Sequence, residues 1–570
     1  MKTLSTLGKG ILQFLSKLMT RPFVSASFII VLLLFVHNNF LYKKSITAND
    51  LYISADGRGY YEYLPAFFLY DDLNLHYLDT LQTPLYSAEY ADHIFPIQTE
   101  LGHRINKYFV GTALLQAPFF GIAHWVASSS DSLYPADGYS LPYQKGIFAA
   151  ALFYLFLGLV GIRYLLQTYF VSGIGIFIVQ LALVFATPLL HYTIYDSAYS
   201  HVYSFCLITW FLYYLRKYFT TQLSLPLVLC VFLFGVIASV RPINILILLF
   251  APLLTDSIRS FLLLVKTMVL RHFKGLLLGC LLAAVVVSVQ FYISYAQSGN
   301  PLHYSYGEEG FDFLNPNIIN FLFSYHKGFF LWTPWWFFAF LFGIIYGLLQ
   351  RKFYFISYSS FSFIVLVYIL SSWHIWTYGA SLGSRPLIDF HAVFVLILVP
   401  FLQQGRRLMK FIFILLTSAS TFLMQVQTYQ YQFAIIHLDG MDKEKYWKTF
   451  MQLDRKYSWY LYRTTLAVGP QLSDISLLEE PLVTVPSHNK TVLDPIFKAI
   501  SVDSTAQFWE LYLHYDREAE GEYMTIHFFV AQNTVLDSFE YLQLFHYHQA
   551  GTESMIRFPL DPTRAPFYSK

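Results

Sequence analysis

The 570-residue sequence is short of charge above all: Asp, Glu, Lys and Arg make up 13% of it, about half the share of an ordinary soluble domain. Such a composition suits neither a disordered chain nor a water-soluble enzyme. Cysteine is scarce as well. Cys206, Cys230 and Cys280 all lie inside apolar stretches, and an odd, lipid-buried set argues against both a disulfide framework and a zinc site. The formal net charge is only +2 and no Lys/Arg-rich run occurs, so nucleic acid is not an expected partner. No internal repeat or low-complexity tract is present. The N-terminal apolar run has no A-x-A-like site to close it, so it reads as a retained span and not as a cleaved signal peptide. What the sequence has in abundance is apolar residues, 56%, and aromatic ones, 19%. Such rings favour water–lipid boundaries and sugar-stacking surfaces.

Apolar stretches near the roughly 20 residues needed to cross a bilayer start close to Pro22, Lys145, Val171, Ala198, Ser224, Ile243, Gly275, Gly328, Phe353, Phe390 and Lys410. They predict an all-α polytopic membrane protein of about eleven transmembrane helices. Lys9, Lys17, Arg21, Arg216, Lys217, Arg259, Lys266, Arg271, Lys274, Arg351, Lys352, Arg406, Arg407 and Lys410 fall on one, cytoplasmic, side only if the segment from Tyr108 to Ala127 does not cross. Pro118 lies inside that segment, so a juxtamembrane helix against the outer leaflet is the cheaper reading. The N-terminus is then cytoplasmic. The outer side receives a long first loop (43–144), the turn around Asp196, the loop 297–327 and the turn 371–389. Residues 1–430 form the membrane domain and 431–570 an outer C-terminal part. There, 441–462 places Tyr446, Phe450, Leu453, Tyr457 and Leu461 at helical spacing, and FWELYLHY, EYMTIHFFV and FEYLQLFHYH read as strands of a small β-rich domain.

Ionisable residues near a bilayer are expensive and tend to mark function. The first loop opens with SADGRGYYEYLP, carrying Asp56, Arg58 and Glu62. Asp56 stands beside a glycine where backbone can approach a ligand closely, and its carboxylate could take a proton from a hydroxyl acceptor. Asp196, in HYTIYDSAYSH, is held at the membrane surface by a short turn. Both acids also read as turn or cap residues. His191 and His201 flank Asp196 without a third ligand at metal spacing. Arg241, His326 with Lys327, and Arg385 with Asp389 fall at outer boundaries, where a ring of cations could hold an anionic head group or simply snorkel to lipid phosphates. The loop YGEEGFDFLNPN brings Glu308, Glu309 and Asp312 close to His303 and could cover a cavity.

DGRGYYEYLP, FSYHKGFFLWTPWW and WHIWTYGASLGSRPLID together resemble the glycosyltransferase C (GT-C) superfamily, the multi-span enzymes that use polyprenyl-phosphate-linked sugars. The likeness is to bacterial relatives of the protein O-mannosyltransferases and the lipid A aminoarabinose transferase, and it covers roughly residues 20–430. The resemblance implies a membrane glycosyltransferase acting on the outer face of a bacterial inner membrane. A sugar would move from a polyprenyl-phosphate donor to a glycan, lipid or protein acceptor with inversion. It implies Asp56 and Asp196 as catalytic acids and Arg385 as the arginine of the late motif; Arg58, Arg241, His326 and Lys327 are expected, with Arg385, to bind the donor. Glu62, His303, Glu308, Trp373 and His374 are expected at the acceptor or in a lid. Asp56 is a lone acid followed by glycine where many relatives have two adjacent acids, so a divalent metal is possible but not required. The competing function is a polyprenyl-linked glycan flippase without bond-breaking chemistry, although no paired halves of the kind transporters show are visible.

Overall fold

The computed structural model describes residues 16–18, 20–41, 52–80, 104–129, 134–307, 309–454 and 457, with strand segments between 508 and 559. The chain divides into two units, Met1–Leu453 and Asp454–Lys570.

In the first unit every expected apolar run is helical. The long elements are α1 (Pro22–Val36), α4 (Gly111–Ala127), α5 (Leu141–Gln167), α6 (Gly173–Phe185), α8 (His201–Thr221), α9 (Ser224–Val240), α10 (Ile258–Arg271), α11 (Phe273–Ser298), α14 (Pro334–Leu349), α15 (Phe353–Ser371), α16 (His391–Gln404) and α17 (Arg407–Gln432). Between them lie the short helices α2 (Ala55–Tyr61), α3 (Tyr63–Phe68), α7 (Leu189–Ile194), α12 (Ile318–Phe323) and α13 (Phe329–Trp332), and after them α18 (Lys443–Thr449). Two 3-10 segments, Pro242–Leu254 and Arg385–Phe390, precede α10 and α16. Local chemistry sets several ends. Proline at the first turns of α1, α5 and α14 costs no hydrogen bond there, and the Ser172 and Ser257 hydroxyls accept from Gly175 and Ser260 amides to cap α6 and α10.

Six described helical stretches are long and apolar enough to cross a membrane, and seven if the pair Pro242–Leu254 and Ile258–Arg271, bent by 111°, counts as one. The chain is accordingly a multi-pass membrane protein. Eleven spans exceed that count for visible reasons. α6, α9 and α14 have 13, 17 and 16 residues, and α8 carries Arg216, Lys217 and many tyrosines. α4 has 17 residues with Pro118 inside and also falls short of a span. It lies against α5 and α9 and leaves Leu114, Ile122, Trp125 and Val126 exposed.

The stretch Arg385–Gln404 is 94% buried, whereas α11 is 11% buried. α16 is therefore the centre of the bundle, apolar on all sides, and α11 is a rim helix packed on α9. The first loop has its own core, in which Tyr61, Leu64, Leu75, Leu78, Tyr139 and Tyr143 pack together. The helix expected over 441–462 is shorter than its spacing predicts: α18 ends at Thr449, and Met451 adopts a φ of +61° that no helix continues through. Tyr457 is described, but Leu461 lies outside the described residues.

In the second unit three antiparallel pairs are described: β1 (Phe508–His514) with β6 (Glu553–Pro559), β2 (Met524–Thr525) with β5 (Gln543–Leu544), and β3 (Phe529–Gln532) with β4 (Val535–Ser538). Of the three expected strand-forming segments, FWELYLHY supplies β1, EYMTIHFFV supplies β2 and the start of β3, and FEYLQLFHYH supplies β5.

Candidate functional site

Two glycines beside Arg58 decide where Asp56 comes to rest. A Cβ on Gly57 would stand 2.9 Å from the Ala198 Cβ, and one on Gly59 would stand 2.0 Å from the Tyr108 ring. Only side-chain-free backbone can lie this close to both neighbours. α2 is thereby laid on the Asp196–Tyr199 turn on one side and on the returning end of the first loop on the other. That end is tied down by Asn106, whose amide donates to the Gly59 carbonyl at 2.7 Å, and by Tyr63, whose hydroxyl donates to the Tyr108 carbonyl at 2.5 Å.

The placement closes an ion pair between the first loop and the base of the central helix. Asp56 Oδ2 is 2.7 Å from Arg385 Nη2, and the Tyr108 hydroxyl donates to Asp56 Oδ1 at 2.7 Å. Asp56 keeps 31% of its side chain exposed and Arg385 15%. Burial alone would raise the carboxyl pKa. The Arg385 guanidinium, the Tyr108 hydroxyl and the nearby Lys107 ammonium outweigh it and hold Asp56 below the usual carboxylate range. The Arg385 guanidinium also lies over the Tyr199 ring at 5.6 Å, a cation–π contact.

Tyr199 links this pair to the second acid. Its amide donates to the Asp196 carbonyl at 3.0 Å, and the Asp196 carboxylate is 3.0 Å from His191 Nε2. Burial pushes the Tyr199 hydroxyl well above its ordinary pKa, and the charges of Asp56 and Asp196 both push it further. Both acids thus act on one phenol at the N-terminal end of α8.

Beside it lies a hub around Asp389 that joins residues the sequence had marked only separately. Asp389 has no exposed side chain and meets His201 Nδ1 at 2.7 Å, Asn244 Nδ2 at 2.9 Å and Arg241 Nη1 at 3.1 Å. The hub joins α8, the 3-10 segment after α9 and the base of α16. Tyr60 of α2 lies within electrostatic reach of Arg241, Asp56 and Arg385 together.

The other expected site residues are placed differently. Arg58 and Glu62 form a fully buried pair at 3.0 Å, and Glu62 also accepts from the hydroxyls of Tyr77 and Tyr139. They belong to the loop's own core, and their i, i+4 spacing on a short helix was the signal for it. Lys327 is turned inward. Its ammonium donates to the Ser381 carbonyl and, at 2.6 Å, to the Leu438 carbonyl, and burial pushes its pKa down to about 7. It therefore fastens the loop before α16 to the segment after α17. His326 faces Asp439 at 3.6 Å.

The expected lid is laced to the turn after α15. The Asp312 amide donates to the Ser372 carbonyl at 2.7 Å, the His374 amide to the Gly310 carbonyl at 2.9 Å, and Phe311 bridges Trp373. Lys107, which the sequence reading passed over, meets Glu309 at 2.7 Å and brings that segment toward Asp56. Trp373 packs edge-on against Tyr306 at 5.8 Å. His303 is half-buried at the loop's start, and Glu308 lies outside the described residues. No group of three His, Cys, Asp or Glu placed to hold a metal occurs among the described residues.

Comparison of the sequence with protein-family profiles and with curated proteins found no match. Among solved structures, the chain is similar to the archaeal oligosaccharyltransferase AglB from Archaeoglobus fulgidus in complex with an inhibitory peptide and a dolichol-phosphate. The TM-score is 0.39, with 12% identity over 77% of this chain and 60% of that one. It is also similar to the apo form of the Archaeoglobus fulgidus oligosaccharyltransferase, with a TM-score of 0.38 and 11% identity over 76% of this chain and 60% of that one. This chain thus spans about 60% of the length of the structures it matches. Likeness at that level assigns no activity, which has to be argued from the side chains.

Proposed function

We propose that this chain is a membrane glycosyltransferase that moves a sugar from a polyprenyl-phosphate-linked donor to an acceptor hydroxyl at the outer face of a bacterial inner membrane. The observation that carries the proposal is the Asp56–Arg385 pair at 2.7 Å, partly exposed and steadied by Tyr108. A carboxylate kept ionised at a membrane boundary is expensive unless it serves a purpose. In the proposed reaction the acceptor oxygen forms a bond to the anomeric carbon while the bond from that carbon to the phosphate oxygen breaks. Asp56 accepts the acceptor's proton, and the lipid phosphate leaves with the electron pair. Attack opposite the leaving group inverts the anomeric centre. Arg385 and Arg241, at the outer boundary, stabilise the charge growing on the phosphate, and Asp196, ordered by His191, orients the acceptor. Tyr60, Tyr199 and Tyr306, aromatic side chains within electrostatic reach of these charges, suit a sugar ring.

The same proposal carries the topology: eleven spans including the shorter helices, the N-terminus cytoplasmic, and residues 431–570 outside as a helix and β-rich part. The resemblance of DGRGYYEYLP and GSRPLID to the GT-C motifs supports the assignment of Asp56 and Arg385. Incubating the purified protein in liposomes with radiolabelled polyprenyl-phosphate sugar tests the function. Release of lipid phosphate is expected. Movement of intact donor between leaflets without bond cleavage would replace the transferase with the flippase.

A further inference from the structure

The far end of α8 borders a second cavity, of about 410 Å³, within the range of small-molecule and cofactor sites. It opens where the chain bends by 111° between Pro242–Leu254 and α10. Arg216 lies fifteen residues beyond His201 on α8, about 22 Å away at 1.5 Å per residue, so this cavity is distinct from the Asp56 cluster. Arg216, Arg351 and Lys352 line it against a single acid, Asp256.

Its walls are built, not merely charged. Arg216 Nη1 donates to the Leu254 carbonyl at 2.5 Å and the guanidinium lies 4.7 Å over the Tyr169 ring, which fixes its orientation. Its Nε is buried and has no hydrogen-bond partner among the described residues. Lys352 Nζ is 3.2 Å from Gln403 Oε1, and Gln403 Nε2 donates to the Tyr169 carbonyl at 2.6 Å. Two lining residues sit in left-handed backbone, Phe170 at φ +57° and Arg351 at φ +56°. Both close helix ends where glycine is the unstrained choice. A bulky side chain retained at such a position costs conformational energy and points to a task for it. Phe170 is 92% exposed, as a ring entering a membrane interface would be. α10, which leaves the bend, has no buried residue and carries Arg259, Lys266 and Arg271 together with exposed Ile258, Leu262, Leu263 and Leu270. That is the make-up of a helix lying in a lipid interface.

We propose that this cavity binds the phosphate of an anionic lipid head group, held by Arg216, Arg351 and Lys352, with Phe170 and α10 seated among the acyl chains. The test uses the full chain in nanodiscs of phosphatidylcholine with or without phosphatidylglycerol, and reads lipid retention by native mass spectrometry together with the melting temperature. Phosphatidylglycerol is expected to be retained and to raise the melting temperature of the wild type. Each charge removed should weaken retention about fivefold, and R216Q/R351Q/K352Q together about 100-fold. The exposed Arg351 guanidinium supports no other described contact, so Arg351→Gln alone keeps the fold and should show the fivefold loss if the triple variant does not fold. A parallel arm with inorganic phosphate separates the sources: a variant-sensitive response to it alone would keep the phosphate site but assign it to a soluble ligand. Equal retention and melting of wild type and Arg351→Gln in both arms would overturn the proposal.

Discussion

Replacing Gly59 by alanine tests the packing on which the position of Asp56 depends. The added methyl would stand 2.0 Å from Tyr108 Cδ2 and 2.3 Å from Cε2, where carbon atoms ordinarily keep about 3.5–4 Å. The ring has to retreat by about 1.5 Å, and Tyr108 is only 8% exposed, so little free space receives it. Overpacking of this kind costs about 1–3 kcal/mol. Moving the ring also breaks the 2.7 Å bond from the Tyr108 hydroxyl to Asp56. A hydrogen bond to a charged group contributes about 1.5–3 kcal/mol, and the 31% exposure of Asp56 puts this one at the lower end. Tyr108→Phe separates the two effects by keeping the ring and removing only the hydroxyl. Melting in detergent, followed by tryptophan fluorescence, should fall for both, and further for Gly59→Ala, which adds the overpacking to the lost hydrogen bond, than for Tyr108→Phe. Sugar transfer should fall about tenfold in both, the rate equivalent of about 1.4 kcal/mol. A Gly59→Ala protein that melts with the wild type would refute the close approach. A slowed Gly59→Ala beside an unimpaired Tyr108→Phe would refute the role of the hydroxyl.

Three other outcomes follow from the same geometry. Asp389→Asn leaves the largely buried Arg241 facing a neutral group at a fully buried position and should cost about 3–5 kcal/mol, seen as a lowered melting temperature, while an unchanged melt would show the hub to be dispensable. Asp56 has its carboxyl held below the ordinary value, so its contribution is present above that value and is lost only as pH falls through the depressed folded pKa. The acid limb of kcat/KM should therefore lie below about 3.9, the ordinary carboxylate value, and an acid limb near pH 5 would remove Asp56 from it. Lys327 runs the other way: with its folded pKa at about 7 and an unfolded one near 10.4, the unfolded chain binds the extra proton between them, so stability rises with pH across that window. The wild type should gain on Lys327→Met by about 1 kcal/mol per pH unit above 7, and parallel melting-versus-pH curves for the two proteins would contradict it.

Much of this site was legible in the sequence, and the reason is scarcity. In a chain with 13% charge, an aspartate beside glycines and an arginine in GSRPLID stand out because lipid makes each ion expensive. Those two residues, far apart in sequence, meet at 2.7 Å. The helical runs were equally clear, since hydropathy reports them directly. What stayed hidden was determined by distant partners. Nothing local marks Tyr108 as the group that steadies Asp56, or Asp389 rather than its neighbours as the buried hub. Lys327 had the charge expected at a phosphate but turned to the Ser381 and Leu438 carbonyls, a choice made by chain segments that the sequence does not place. Arg58 and Glu62 were misleading in another way: their charges suggested a site, whereas their four-residue spacing from α2 to its C-cap made them each other's partners.

The central claim is that Asp56 takes the acceptor's proton during glycosyl transfer, and the most direct measurement is single-turnover release of lipid phosphate by Asp56→Asn. The asparagine keeps the shape and removes the base, so a fall of about 10²–10⁴-fold is expected in a protein that still melts cooperatively and still retains the labelled donor. Turnover at the wild-type rate in that variant would contradict the claim and leave the Asp56–Arg385 pair as a clasp between the first loop and the central helix.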